Sequence, residues 1–153
     1  MTLLGAMVGM GVAAAVAWAA ARSRALAVTL DCVGGPVPLG GLVRVRLRVT
    51  PARRVRFSMH RLRARLISVE AVRGENARQE VLYEERLALP IPVTLATPFE
   101  HEWAIRLPPQ VPPTWHGSHC ALETAVEVEL PFWELGGTST RVEVVVLPEL
   151  ARD

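Results

Sequence analysis

The chain has 153 residues, with 17 basic side chains, all arginine, against 15 acidic ones; this length allows one domain with a real core beside a short targeting segment. Half of the residues are apolar and only 5% aromatic, which excludes a disordered chain and points to a core of Val, Leu and Ala. The net charge of +2 hides an asymmetry: residues 22–65 hold eleven Arg against Asp31 alone, and residues 66–153 hold six Arg against fourteen acids. Two halves of opposite sign can neutralise each other in a fold, so no nucleic-acid partner is expected.

The first element is "MTLLGAMVGMGVAAAVAWAAA", which carries no charged side chain. As a helix it spans roughly 30 Å, the thickness of a bilayer's hydrocarbon core. Residues 1–23 are therefore expected to form a transmembrane anchor and residues 24–153 the domain it carries. Basic residues follow the segment at Arg22 and Arg24 and none precedes it. That bias puts the N-terminus outside an inner membrane and the domain in the cytoplasm. The alternative is a cleaved signal at an A-x-A pattern such as Ala19-Ala20-Ala21, leaving a periplasmic or secreted domain. Gly5, Gly9, Ala13, Ala17 and Ala21 recur every four residues, a smooth face for a partner helix or a second copy. Trp18 lies near the end, where an indole prefers the interface.

From Arg24 onward, period-two alternation predicts strands. A first strand is expected over 25–33, then a turn-forming "GGPVPLGG" over 34–41. In "LVRVRLRVT" (42–50), Val43, Val45, Leu47 and Val49 share the face opposite Arg44, Arg46 and Arg48. The stretch 54–70 continues with Leu62, Ala64 and Leu66 facing in and Arg61, Arg63 and Arg65 facing out, and "RGENAR" (73–78) makes a hairpin tip. Strands over 80–90, 97–108, 120–130 and 139–148 complete seven, an all-β two-sheet sandwich.

The order of features resembles the arrestin-like domain, the immunoglobulin-like sandwich of arrestins, Vps26 retromer subunits and bacterial sporulation-control proteins. "PLGGLVRVRLRV" is similar to that family's proline-glycine turn and valine-alternating strand. "FEHEWAIRLPPQVPPTWHG" before "ETAVEVEL" is similar to its aromatic strand, Leu-Pro ending and proline-rich link. Thr124 stands where the family often has Tyr or Trp. The resemblance implies a sandwich that binds partners at sheet edges or loops; no second sandwich follows it in this sequence.

Chemistry is sparse. With no Lys and only Asp31 and Asp153 as aspartates, most nucleophilic and phosphate-binding arrangements lack parts. "HGSHC" offers His116, His119 and Cys120 but no second ligand cluster, so neither a metal nor any cofactor is expected. Pro108, Pro109, Pro112 and Pro113 lack N–H groups and suit a link between the two sheets, with Trp115 pinning it to the core and Gly117 ending it. If the strands at 42–50 and 54–70 are neighbours, Arg44, Arg46, Arg48, Arg61, Arg63 and Arg65 form one basic face. Glu100, Glu102, Glu127 and Glu129 could neutralise it, or it could meet anionic lipid.

Three functional readings follow. The first is a non-enzymatic, membrane-anchored adaptor or accessory subunit of a larger assembly, with protein partners at sheet edges or loops. The second is a peripheral domain binding anionic lipid through its Arg face. The third is an exported ligand-binding sandwich closed by a Cys32–Cys120 disulfide.

Overall fold

The computed structural model describes residues 26–51, 63–89, 98–130 and 138–148. The strands are β1 (Leu26–Val33), β2 (Val37–Pro38), β3 (Leu42–Pro51), β4 (Arg63–Val72), β5 (Arg78–Leu87), β6 (Phe99–Arg106), β7 (Trp115–His116), β8 (Cys120–Leu130), β9 (Thr138–Glu143) and β10 (Val146–Leu147). β1, β3 and β6 form one antiparallel sheet in that order. β5, β4 and β8 form the second, with β7 and β9 paired in succession along the far side of β8.

Alternation decides which face each strand buries. On β3, Val43, Val45, Leu47 and Val49 are at most 1% exposed, and they meet Ala64 and Leu66 of β4, Leu87 of β5 and Val126 and Val128 of β8 in one core. Each such side chain contributes about 1.5–3 kcal/mol by leaving water. Trp103 and Ile105 of β6 close one flank, where the indole Nε1–H donates to the Ala88 carbonyl at 2.7 Å. Apposition of the two sheets through their alternating apolar faces is the sandwich expected from period two.

Strand β8 differs from a simple alternating strand. Ala121 and Ala125 are fully buried on the face opposite Val126 and Val128, and Ala125 joins Ile67 and Val69 of β4 in a second small cluster. On the core side the row Ser68–Thr124 is buried as well. These two hydroxyls are the only buried polar side chains among the described residues, and they bond each other at 2.8 Å.

Three elements depart from the seven expected strands. β2 lies inside the stretch read as a turn, β7 inside the proline link, and β10 breaks the strand expected over 139–148 into two. Each has two residues, too few to show a period. They exist because the folded chain brings them together: β2 and β10 run parallel, Val37 N–H donates to Val145 O, and Thr114 N–H donates to Val146 O. The hairpin tip at 73–78 is as read, turning at Gly74, whose φ of 120° suits a residue without Cβ.

His101 of β6 sits 6.4 Å from Phe99 and edge-on to Trp103 at 4.9 Å, ring centre to ring centre. Burial pushes its imidazole below the ordinary 6.5. Below that value the unfolded chain binds more protons than the fold, so stability falls as pH drops from about 6.5 through the folded-state value. In denaturant melts between pH 7.5 and 5, His101→Gln should show a shallower loss than the parent chain; identical slopes would assign the loss to other groups.

Candidate functional site

The basic face is divided between two sheets. Strands β3 and β4 follow one another in sequence but belong to opposite sheets, which corrects the expectation of one shared face. Arg44, Arg46 and Arg48 point outward from the three-stranded sheet, and Arg63 and Arg65 from the other; Arg61 lies outside the described residues. The core must have both of these strands' apolar faces inside, so their arginine faces point in opposite directions.

Register supplies the counter-charges. Arg48 lies across from Glu100 and Arg46 across from Glu102. Arg46 reaches Glu100 at 3.3 Å and Glu102 at 3.2 Å, and Arg48 reaches Glu100 at 3.3 Å. On the other sheet Arg65 engages Glu84 at 3.0 Å, Glu127 at 2.9 Å and Glu129 at 3.3 Å. The hydrogen bond to Glu84, followed by that to Glu127, outweighs partial burial and holds this guanidinium above its ordinary range. Such pairs at a surface each stabilise by about 0–1 kcal/mol; their larger effect is to offset the charge of Arg46, Arg48 and Arg65. Arg44 and Arg63 are the exceptions: no acid among the described residues lies within ion-pair distance of either, and the cross-strand neighbours of Arg44 are Val33 and Ala104.

The proline link does run from one sheet to the other, leaving β6 and entering β7. Leu107 and Val111 anchor it, each 1% exposed, and Val111 N–H closes a turn onto Pro108 O. Pro109 is exposed, and Pro108, Pro112 and Pro113 are half-buried. Thr114 ties the end of the link to β10: its Oγ1 donates to Val144 O and accepts from Val146 N–H. Trp115 is not the pin. It is 51% exposed and lies over Gly117, where a Cβ would stand within 2.9 Å of three ring carbons. The link is held instead by the aliphatic Leu107 and Val111, which pack into the main core.

"HGSHC" is a hairpin turn, with Gly117 N–H donating to Cys120 O at 2.9 Å. His116 Nε2 faces Glu143 at 3.1 Å, and its Nδ1 lies 4.0 Å from Glu123, which Arg141 also engages. Among the described residues no group of three or more His, Cys, Asp and Glu side chains is arranged to hold a metal. Cys32 of β1 and Cys120 of β8 are both free and half-buried, so the Cys32–Cys120 bridge of the exported reading is not formed in this structure. Burial raises the Cys32 thiol above its ordinary value, making it a slow nucleophile.

The helix-packing residues Gly5, Gly9, Ala13, Ala17 and Ala21, and the interface residues Trp18, Arg22 and Arg24, lie outside the described residues. Among those described, no helix is long and apolar enough to cross a membrane. Two features escaped the sequence reading. The Ser68–Thr124 bond needed the register of β4 on β8, its one visible signal being Thr124 where an aromatic was expected. The surface formed by Val33, Leu42, Arg44 and Arg106 draws on three strands and has no local motif.

No family model matches this sequence, and no curated protein matches it. Among solved structures, the sporulation control protein Spo0M from Bacillus subtilis superposes with a TM-score of 0.55 at 14% identity, over 80% of this chain and 49% of that one. The chain thus spans about half the length of that protein. Squid arrestin superposes more loosely, with a TM-score of 0.41 at 10% identity over 80% of this chain and 55% of that one, and adds nothing on function. Sheet order, core and the Spo0M superposition together show the fold, a two-sheet β-sandwich of the kind that the arrestin-like resemblance implies.

Proposed function

We propose that the protein is a non-enzymatic interaction module, an adaptor or accessory subunit of a larger membrane assembly, held at the membrane by residues 1–23. The observation that carries this reading is the β4–β5 hairpin. All residues from Arg73 to Leu82 are exposed, β5 ends its sheet among the described residues, and Val81 and Leu82 stand 52% and 43% exposed. An edge strand presenting free backbone groups and aliphatic side chains is a surface on which a partner strand can dock. A break in register beside Ser68 and Val69 splits that edge, which limits unspecific pairing. Pairing of Arg46, Arg48 and Arg65 with acids favours a protein partner over a headgroup surface.

The test is affinity purification of the tagged full chain from detergent-solubilised membranes, beside Val81→Glu/Leu82→Glu. The expected result is a stoichiometric companion that the double variant loses. Recovery of the chain alone from membranes, or equal recovery of the companion with both chains, would count against this edge.

A further inference from the structure

We infer that Val33, Leu42, Arg44, Ala104 and Arg106 form a docking notch for a segment of a protein partner that is rich in carboxylates and carries aliphatic side chains. The inference rests on the adaptor reading and gives it a partner chemistry. Register places the five residues together on the outer face of the three-stranded sheet. Val33, Arg44 and Ala104 form one row across β1, β3 and β6, and Leu42 with Arg106 forms the next. Arg44 and Arg106 are diagonal neighbours on adjacent strands, roughly 7–8 Å apart at the backbone. Their like charges repel, and Ala104, directly opposite Arg44, brings no carboxylate to this row.

Elsewhere on this face the charges are matched. One row on, Arg46 engages Glu102, with Asp31 across from it on β1; the row beyond holds Arg48 with Glu100. In the notch rows, Arg106 has only a 3.5 Å contact to Gly40 O, and no acid among the described residues bonds either arginine. Val33 and Leu42 beside them are 40% and 49% exposed. Guanidinium groups bind carboxylates in a forked, charge-assisted way, and exposed aliphatic side chains next to them select a ligand that also has an apolar part. Position argues against a bilayer as that ligand. If residues 1–23 hold the domain at a membrane, as proposed, the extended β1 from Leu26 to Val33 carries the notch about 25 Å from the strand's first residue.

The probe is a dye-labelled alternating Glu-Leu hexapeptide, titrated into the full chain in detergent micelles and followed by fluorescence anisotropy. Arg44→Gln/Arg106→Gln should weaken binding about tenfold or more. Replacing Glu by Gln in the peptide should do the same, and Arg63→Gln/Arg86→Gln, which removes equal charge from the other sheet, should leave binding unchanged. Absence of peptide binding, or equal affinity for the Arg44/Arg106 variant, overturns the notch. Binding of phosphatidylserine vesicles that needs Arg44 and Arg106, with no peptide binding, reassigns it to lipid. The adaptor reading fails separately: a companion recovered in the affinity purification but retained by Arg44→Gln/Arg106→Gln leaves that reading standing and removes only this surface.

Discussion

Trp103→Ala should lower the melting temperature by about 10 °C or more, corresponding to a loss of roughly 3–5 kcal/mol, whereas Trp115→Ala should shift it by no more than a few degrees. Trp103 is 7% exposed in the main core, and its removal opens a cavity that the surrounding valines are too short to fill. It also strips the Ala88 carbonyl of its indole donor. Trp115 loses little when truncated, because half of its surface already faces water and its ring lies over Gly117 outside the main core. A substitution at such a surface costs under about 1 kcal/mol. Thermal melts of the two variants, followed by circular dichroism, decide the matter. A large drop for Trp115→Ala would mean that the tryptophan anchors the proline link in solution.

Thr124→Val should destabilise the domain by about 1–3 kcal/mol, although valine matches threonine in shape and adds apolar surface. The reason is its partner: Ser68 is fully buried and would keep a hydroxyl with nothing to bond. Ser68→Ala should likewise cost more than the atoms removed, by leaving Thr124 alone. In Ser68→Ala/Thr124→Val both polar groups are gone, and the double variant should recover to near the parent stability. The cycle measured in urea would then show a coupling of about 1 kcal/mol or more. Additive losses would mean that each hydroxyl bonds independently, for example to water. The pair lies where the core side of β8 passes from the valines at Val126 and Val128 to the exposed end of the sheet. A hydrogen bond there fixes the register of β4 against β8 at a point where apolar packing thins out.

The alternation of valine with arginine along residues 42–50 was enough to read β3, its buried face and its charged face, because the side-chain period of a strand is local and independent of what the strand packs against. The same holds for Ala64 and Leu66 and for Val126 and Val128. The prolines of residues 108–113 were legible as a link, since a residue without an N–H cannot continue a ladder on either side. The acids that neutralise Arg46, Arg48 and Arg65 were legible by type, Glu84 excepted, as charged residues at alternate positions of neighbouring strands.

What local pattern does not contain is which strand stands beside which, and that belongs to the tertiary structure. Adjacency of β3 and β4 in sequence implied one basic face. Packing of their apolar faces against each other placed them in opposite sheets and split the arginines into two sets, in which acids engage Arg46, Arg48 and Arg65. Trp115 looked like a core residue by type, yet Leu107 and Val111 occupy the interior and leave the indole over Gly117. Val33, Leu42, Arg44 and Arg106 read separately as parts of three strands; only the register of β1 on β3 and β3 on β6 gathers them into one surface. The sequence by itself determined the all-β class, the faces of the strands and the link, because these follow from spacing along the chain. Sheet membership, the Ser68–Thr124 bond and the unneutralised arginines were decided by folding, because each depends on contacts between residues far apart in sequence.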